Sequence, residues 1–275
     1  IADCTKGALR TPFNVAHRGL PSTHHENSVS GTVAAAAAGA THIELDGYLS
    51  KDNHIVMMHN ADISATTNGK GKVEEMTLEE IRQYKLNRKG PEEDIPTLPE
   101  IIDAMKDSDS ILVFESKSGN NAIVDELKKV IEEKQFEDRV VVISFAENII
   151  RKMAAALPNI PTALVANNMT EISLERWTAL NTGIDVNSTV MTQEFEKFYK
   201  DRGMIGWYWT FDTAGQTVDT ADEGYVGLRN NAADKFVSAS GEEALMLVKP
   251  LANYAAVGAI TEGSKIGRAS CRERV

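Results

Sequence analysis

Short apolar runs of strand length recur along the chain, and most of them end at a polar residue or at a turn. Eight of these runs predict β-strands, at residues 13–18, 42–46, 111–117, 140–145, 162–166, 183–187, 205–211 and 225–230. The segments between most of them predict helices, at residues 27–38, 98–106, 122–134, 147–156, 174–180, 193–202 and 217–223. Strands that alternate with helices are typical of an α/β fold, and eight of them favour a closed parallel (β/α)8 barrel. An open, doubly wound sheet is the alternative, but it would need a glycine-rich turn after the first strand, where this chain reads HRGLPS.

A hairpin interrupts the alternation after the second strand. The chain runs on past Asp46, turns, and returns as residues 55–60. Asp52-Asn53 suits a two-residue hairpin turn. Paired residue numbers would then sum to 105, and His59 would face Asp46 across the ladder. The sequence therefore predicts that the hairpin brings a histidine back to a strand-end carboxylate.

Residues 61–96 form an insertion between this hairpin and the next predicted helix. The insertion contains the turn sequence TTNGKG and a polar helix predicted at residues 77–86, where Thr77 and Glu80 have the spacing of a capping box. Its position is that of a lid or a substrate-facing cap. We therefore expect a TIM-type (β/α)8 barrel with a small insertion after the second-strand hairpin.

The two ends of the chain lie outside this pattern. We assign residues 11–236 to the barrel, and residues 237–265 to either a closing helix or the start of a further module. Residues 266–275, IGRASCRERV, resemble a translated sequencing-adapter sequence, so they are excluded from the fold prediction. We expect the natural protein to continue past Lys265.

Composition and charge narrow the range of partners. The formal net charge is −11 and no long basic run is present, so we expect no nucleic-acid partner. No apolar run reaches the ~18 to 20 residues of a membrane span, so we expect no transmembrane segment. Cys4 and Cys271 lie at opposite ends and support neither a disulfide framework nor a metal knuckle. The low cysteine count and the missing initiator Met fit an extracellular or cell-envelope protein of a bacterium, and they fit a fragment or a cytoplasmic protein as well. The sequence does not predict the oligomeric state.

Residues suited to acid/base and phosphate chemistry end the first strand and the hairpin. His17 and Arg18 close the first strand ahead of a glycine. The planar fork of an arginine can grip phosphate oxygens, and a histidine ring beside it can exchange a proton. A structural histidine with a surface arginine is the alternative interpretation. His59 ends the returning strand of the hairpin.

Carboxylates end two further strands. Glu44 and Asp46 are two residues apart on one strand, so both point to the same face. Carboxylates at that spacing repel each other unless a cation lies between them, although a solvated strand-end pair is the alternative. Glu115 ends an otherwise apolar strand and supplies a third oxygen ligand, which favours a hard divalent ion, Mg²⁺ or Ca²⁺, over zinc. Lys117 shares the face of Glu115, where it could neutralise a phosphate or pair with a carboxylate.

Two tryptophans lie in the seventh predicted strand. We expect one of Trp207 and Trp209 to face the barrel interior, where it could contact a substrate or pack in the core, and the other to face the helices.

In this order and spacing, these residues resemble the glycerophosphodiester phosphodiesterase family over roughly residues 13 to 232. The matching segments are AHRG at 16–19, ENS at 26–28, IELDGYLSKDNHIVMMHN at 43–60, TTNGKG at 66–71, IPTLPEII at 95–102, FESK at 114–117, SF at 144–145, YWTFD at 208–212 and GLRNN at 227–231. The resemblance implies metal-dependent hydrolysis of a small-molecule glycerophosphodiester to glycerol 3-phosphate and an alcohol on a (β/α)8 barrel. It also implies that the substrate's own glycerol hydroxyl attacks first, giving a cyclic phosphate that water then opens.

The resemblance gives each candidate residue a role. It implies that His17 and His59 are the acid/base pair. It implies that the divalent metal is held by three carboxylates, those of Glu44, Asp46 and Glu115. It also implies that Arg18 and Lys117 bind the phosphate and that Trp209 lines the glycerol pocket. The chain departs from the family pattern at Asn60, where the family usually has an aspartate, and in its ESK, GLRNN and HENS segments. No departure removes a metal or acid/base residue, so we expect activity.

Two other functions stay open at this point. A phospholipase of the phosphatidylinositol- or sphingomyelin-cleaving type has a similar barrel, but it needs an apolar rim, and residues 61–96 are polar. A non-catalytic barrel that binds a wall or another polymer would bind without turnover. The complete set of histidines and carboxylates argues against that function, and Asn60 argues weakly for it. The sequence does not name the released alcohol, which could be choline, ethanolamine, glycerol or a polymer unit.

Overall fold

The computed structural model describes residues 15–167, 182–187, 206–211 and 245–249. The strands are β1 (Val15–His17), β2 (His42–Leu49), β3 (Ile55–Met57), β4 (Lys85–Leu86), β5 (Glu93–Asp94), β6 (Ile111–Ser116), β7 (Val140–Ser144), β8 (Thr162–Ala166), β9 (Gly183–Asn187), β10 (Gly206–Phe211) and β11 (Leu245–Lys249). The helices are α1 (Val29–Ala37), α2 (Leu78–Ile81), α3 (Leu98–Met105), α4 (Ala122–Lys134) and α5 (Glu147–Ala156). Short 3₁₀ turns lie at Ile63–Ala65, Val73–Glu75 and Glu137–Arg139.

Eight strands close into a barrel. From β1 the ring runs in parallel through β2, β6, β7, β8, β9 and β10. β11 then pairs antiparallel with both β10 and β1, which closes the ring. The predicted (β/α)8 barrel is therefore confirmed, with an antiparallel strand in the closing position. That strand lies inside residues 237–265. The strand predicted at 225–230, and the helices predicted at 174–180, 193–202 and 217–223, fall outside the described residues.

The apolar runs of the sequence become the wall of the barrel because a parallel strand covered on both faces is apolar throughout. Every residue of β6 and β7 is buried. Helix α4 contributes one apolar face to the same core, formed by Ile123, Val124, Leu127, Val130 and Ile131. Among the described helices, none combines the length and apolar character that a membrane crossing requires.

The hairpin register differs from the prediction by one residue. Gly47 pairs with Met57 and Leu49 with Ile55, so paired numbers sum to 104 rather than 105. The turn has three residues instead of two, because Asn53 adopts a left-handed conformation (φ 64°) and its N–H donates to Ser50 O at 3.0 Å. Asp46 consequently faces Met58, whose N–H donates to Asp46 O at 2.9 Å. The prediction that His59 lies opposite Asp46 in the ladder was wrong.

The insertion at residues 61–96 folds around a second apolar core, which it shares with the returning strand of the hairpin. Seven buried side chains form this core: Val56, Met58, Ile63, Val73, Ile81, Leu86 and Ile95. The predicted capping box is present, since Thr77 and Glu80 exchange hydrogen bonds. The predicted helix at 77–86 is too long, because α2 ends at Ile81 and Leu86 instead pairs with Glu93 in the short β4–β5 ladder. We call residues 61–96 the insertion lobe.

Close packing beside β2 gives a test of the fold. A Cβ atom added at Gly47 would lie 2.4 Å from Cε2 of Phe114, whose ring is fully buried. We therefore expect Gly47→Ala to lower the free energy of unfolding by about 1–3 kcal/mol, measured by urea denaturation. Gly119→Ala is the control, because no atom lies within 4 Å of its added Cβ. Equal stability of the two variants would show that Phe114 does not constrain position 47.

Candidate active site

Three buried carboxylates meet inside the barrel. Glu44 and Asp46 share the inner face of β2, and the β2–β6 pairing places Glu115 directly beside Asp46. Glu44 and Asp46 are each 1% exposed, and Glu115 is 8% exposed. One oxygen from each carboxylate lies within 4.8 Å of the other two. The structure thus brings together the three residues that the sequence predicted as metal ligands.

The carboxylates are only partly neutralised by the protein. Burial, with repulsion from Asp46, raises the pKa of Glu44 well above its ordinary value and that of Glu115 to about 7. Burial alone would also raise the pKa of Asp46, but Lys117 and Arg18 hold it below its usual range. Glu44 Oε1 and Asp46 Oδ1 are buried and have no hydrogen-bond partner among the described residues. Two buried carboxyl oxygens that accept no hydrogen bond, beside a third carboxyl group, fit the donor set of a hard divalent cation.

Arg18 is held in the site through both its backbone and its side chain. It has a left-handed conformation (φ 57°), which directs its N–H to Glu44 Oε2 at 3.0 Å. Its guanidinium lies 3.3 Å from Glu26 Oε2 and 3.5 Å from Asp46 Oδ2. Its Nε makes no hydrogen bond within the described residues. These contacts fix the planar guanidinium beside the carboxylates, a geometry that suits a group which binds anions.

Lys117 approaches the carboxylates from β6. Its Nζ donates to Glu115 Oε1 at 2.8 Å and lies 3.6 Å from Asp46 Oδ1. Both interpretations made from the sequence therefore have support in the geometry. The lysine pairs with carboxylates in this structure, and its position also suits contact with a phosphate bound at the same carboxylates.

Two histidine rings border the carboxylates. His17 Nε2 lies 3.9 Å from Glu44 Oε2, and burial together with the positive charge of Arg18 lowers the pKa of His17 to about 3. His59 is half-buried, and its Nδ1 lies 2.7 Å from Asn60 Oδ1. Because an amide oxygen only accepts, Nδ1 carries the hydrogen and Nε2 has the free lone pair. Although the predicted pairing was wrong, His59 lies two residues past the end of β3 and still acts electrostatically on Asp46.

Asn27 is a site residue for which the sequence predicted no role. It adopts a left-handed conformation (φ 56°) just before Ser28, the N-cap of α1. Its Nδ2 donates to Asp46 Oδ2 at 3.1 Å, and its Oδ1 accepts from the Asp46 N–H at 2.8 Å. Asn27 therefore fixes both the backbone and the carboxylate of Asp46. Its signals in the sequence were its place in the ENS segment at 26–28 and its position ahead of a helix cap.

Asp185 is a second residue that the sequence analysis did not single out. It lies on β9, paired with Val165 and Trp207, and is fully buried. Neither of its carboxyl oxygens has a hydrogen-bond partner among the described residues. Burial, with repulsion from Glu115, raises its pKa well above the ordinary value. Its signal was a single acidic residue within an apolar strand.

The tryptophans of β10 can be placed by their backbone. Trp207 pairs with Asp185 and Trp209 with Asn187. The expectation that one of Trp207 and Trp209 faces the barrel interior and the other the helices concerns side chains outside the described part of the structure.

The fold and the site together define a TIM-type barrel whose polar residues gather toward the carboxyl ends of its strands. The model of the Glycerophosphoryl diester phosphodiesterase family matches residues 17–235. The chain belongs to this family.

Individual relatives agree with that membership. A glycerophosphodiester phosphodiesterase of Caldanaerobacter subterraneus is 37% identical over 158 residues, which cover 55% of this chain and 65% of that protein. One from Bacillus subtilis is 25% identical over 263 residues, covering 86% of this chain and 90% of that protein. Human glycerophosphodiester phosphodiesterase 1 is 32% identical over 157 residues, which cover 54% of this chain and 47% of that protein. The chain thus spans about half to two thirds of the length of several curated relatives that it matches.

Solved structures show the same fold. A phosphodiesterase of Oleispira antarctica, in complex with the product sn-glycerol-3-phosphate, has a TM-score of 0.67 at 22% identity, covering 72% of this chain and 84% of that one. A glycerophosphoryl diester phosphodiesterase from Silicibacter pomeroyi has a TM-score of 0.68 at 20% identity, covering 75% and 85%. At these identities the likeness establishes the barrel.

The contacts of Asn27 give a prediction about cation binding. Asn27→Ala removes both hydrogen bonds that orient Asp46, so we expect the dissociation constant for Mg²⁺ or Ca²⁺ to rise about 10- to 100-fold. The measurement is isothermal titration calorimetry on variants shown by circular dichroism to be folded. Asn148→Ala, on the exposed surface of α5, is the control and should bind as the unmodified chain does. Unchanged affinity in Asn27→Ala would remove Asn27 from the site.

The raised carboxyl pKa values predict a pH dependence of cation binding. A pKa of about 7 for Glu115 means that its proton competes with a cation below that pH. Affinity should therefore weaken as the pH falls, by about tenfold between pH 8 and pH 6 for one competing proton. Calorimetry at the two pH values measures this, and Glu115→Gln should bind weakly at both. An affinity that does not change with pH would contradict the competition.

Proposed function

We propose that this chain hydrolyses glycerophosphodiesters to glycerol 3-phosphate and an alcohol, using a divalent cation and two histidines. The observation that carries the proposal is the triad of Glu44, Asp46 and Glu115, with two orphaned buried oxygens beside a histidine and an arginine. Family membership supports the reaction class. The product bound to the Oleispira antarctica relative supports a small-molecule substrate of the same kind.

The proposed cation site is the carboxylate triad. Glu44, Asp46 and Glu115 would hold the ion, and an all-oxygen donor set favours Mg²⁺ or Ca²⁺. When bound, such an ion stabilises negative charge that develops on phosphoryl oxygens. Asn27 keeps the Asp46 carboxylate in place for this role.

The proposed phosphate site adds two protein cations to the triad. Arg18 brings its guanidinium to the triad, where it is ion-paired with Asp46, and Lys117 lies against Glu115 and Asp46. Both charges are fixed in place before a substrate arrives. Preorganised charge of this kind stabilises a five-coordinate phosphorus without reorganisation during the reaction.

The two histidines supply the proton transfers in this proposal. One ring removes a proton from the attacking hydroxyl, and the other protonates the leaving oxygen. The low pKa of His17 keeps its ring neutral, which is the state that accepts a proton. The Asn60 amide orients His59 so that Nε2 is the nitrogen available for transfer. Trp209 would line the pocket for the glycerol unit.

The insertion lobe favours a dissolved substrate over a membrane lipid. Its large apolar residues pack into its own core, and the large hydrophobic side chains exposed within the described residues are Val33 and Phe145. A lipid-cleaving enzyme would need an apolar rim around its site.

The decisive experiment measures glycerol 3-phosphate released from glycerophosphocholine and from glycerophosphoglycerol. The reaction is run with Mg²⁺, with Ca²⁺ and with EDTA. Release that depends on the cation supports the proposal. A folded chain that releases none with either ion would overturn it, and binding to phospholipid vesicles would then favour the lipid-cleaving function.

Single substitutions test the two histidines. We expect His17→Ala and His59→Ala each to lower kcat by about 100-fold or more, because each removes one proton transfer. His54→Ala is the matched control, since His54 lies at the exposed hairpin turn beside Asp52 and should leave kcat unchanged. Near-normal turnover in either site variant would exclude that histidine from the mechanism.

A further inference from the structure

One buried histidine joins the insertion lobe to the loop that follows β1. His25 is 3% exposed, and both nitrogens of its ring contact the lobe. The backbone N–H of Lys89 donates to Nδ1 at 3.1 Å, so Nδ1 carries no hydrogen, and Nε2 donates to Pro91 O at 2.9 Å. The ring therefore holds the lobe through one acceptor and one donor, which fixes its tautomer.

Two further contacts join the same parts of the chain, and together these contacts between residues 22–30 and 89–93 form what we call the lobe junction. Ser30 Oγ donates to Glu93 Oε1 at 2.7 Å, and Lys89 Nζ donates to Ser22 O at 2.8 Å. These four residues are partly exposed, whereas His25 is buried. Hydrogen bonds are stronger where water does not compete for their donors and acceptors. We therefore expect loss of the His25 ring to weaken the lobe junction most.

The residues that follow His25 reach the carboxylate site. Glu26 Oε2 lies 3.3 Å from the guanidinium of Arg18, and Asn27 makes two hydrogen bonds to Asp46. His25 is thus two residues away from the side chain that orients a proposed metal ligand. A shift of the His25 backbone would consequently move Asn27 relative to Asp46.

Helix α1 fixes the other end of this short segment. Ser28 Oγ donates to His25 O at 2.6 Å and accepts the Gly31 N–H at 2.9 Å, which caps the helix. Residues 25–28 are therefore held by the lobe at their start and by the helix at their end. Asn27 lies between these two supports in a left-handed conformation (φ 56°), which is unfavourable for a residue other than glycine unless its surroundings enforce it. The contact of His25 with the lobe is one of the two supports that enforce it.

A second contact fixes the lobe on the other side of β2. Glu74, in the 3₁₀ turn Val73–Glu75, accepts a hydrogen bond from Ser118 Oγ at 2.5 Å. Ser118 is buried and follows Lys117 directly, just past the end of β6, whereas the lobe junction lies at the loop after β1. Strands β1 and β6 both pair with β2, the strand of Glu44 and Asp46. A lobe attached on both sides of β2 acts as a brace rather than as the lid that its position in the sequence suggested.

We propose that His25 is a positioning residue for the divalent-cation site, because its ring lets the insertion lobe brace the loop that holds Asn27 against Asp46. The inference rests on the proposed function, since it concerns a cation at the carboxylate triad. His25 belongs to the HENS segment, in which the chain departs from the family pattern. The brace makes the lobe a determinant of cation affinity from outside the triad.

The test replaces the ring in two ways and measures cation binding by isothermal titration calorimetry on variants shown by circular dichroism to be folded. His25→Ala removes both contacts with the lobe, so we expect the dissociation constant for Mg²⁺ or Ca²⁺ to rise about tenfold. His25→Gln keeps an acceptor and a donor on one side chain, so its dissociation constant should stay within about threefold of that of the unmodified chain. His24→Ala is the matched control, because the His24 ring contacts Thr23 of the same loop, and it should change the dissociation constant less than about twofold.

A double substitution shows whether His25 acts through Asn27. If it does, adding His25→Ala to a chain that already carries Asn27→Ala should weaken cation binding no further. Losses of binding free energy that simply add would overturn the positioning role. A loss of affinity in His25→Gln as large as that in His25→Ala would overturn it too.

Hydrogen exchange separates this inference from the proposed function. The Asn27 N–H donates to Arg18 O, so its exchange rate reports on the loop that the lobe braces. Without any added cation, His25→Ala should speed this exchange about tenfold, measured by NMR, whereas His24→Ala should leave it unchanged. That result supports the brace even if the unmodified chain binds neither ion, and an unchanged exchange rate in His25→Ala would overturn it.

Discussion

Three carboxylates are buried close together in this barrel, and the other residues of the site reduce the repulsion between them. Like charges whose oxygens lie within 4.8 Å repel strongly where little solvent screens them. The protein supplies Arg18 and Lys117, whose cationic groups lie 3.5 Å and 3.6 Å from the oxygens of Asp46. Their charges lower the pKa of Asp46, while those of Glu44 and Glu115 stay raised. The positive charges thus offset the burial of Asp46, whereas Glu44 and Glu115 keep raised pKa values and can gain further stabilisation from a cation or from protons.

The loop after β1 is the part of the chain that makes this arrangement rigid. Arg18 and Asn27 both have left-handed backbones, and the Asn27 N–H donates to Arg18 O at 3.1 Å, which closes the loop on itself. Each residue then reaches one carboxylate of β2: Arg18 through its N–H to Glu44, and Asn27 through its amide to Asp46. Left-handed conformations are costly for residues other than glycine. Here the hydrogen bonds to buried carboxylates compensate for that cost.

The features that could be predicted from the sequence follow from the periodicity of strands. The features that were missed depend on turn conformation and on contacts between distant residues. The i, i+2 spacing of Glu44 and Asp46 fixes a shared face, and parallel pairing then brings in Glu115. The predicted hairpin register was wrong because the left-handed conformation of Asn53 lengthens the turn by one residue. The helix predicted at 77–86 was too long because Leu86 packs into the core of the insertion lobe, which residues distant in the sequence form. Asn27 was missed because hydrogen bonds across 19 residues leave no periodic trace. Asp185 was missed because one acidic residue does not change the pattern of a strand.

Asn60 is the departure from the family pattern that bears most directly on catalysis, because it follows His59 directly in the chain. An aspartate after the second histidine would accept a hydrogen bond from Nδ1 and add a negative charge. The amide oxygen of Asn60 accepts the same hydrogen bond at 2.7 Å without the charge. The orientation and the tautomer of the His59 ring are thus retained. What is lost is the negative charge that would stabilise a protonated ring. A binding barrel without turnover would have no need to direct the free nitrogen of His59, so the retained geometry argues for catalysis at a rate that the missing charge adjusts.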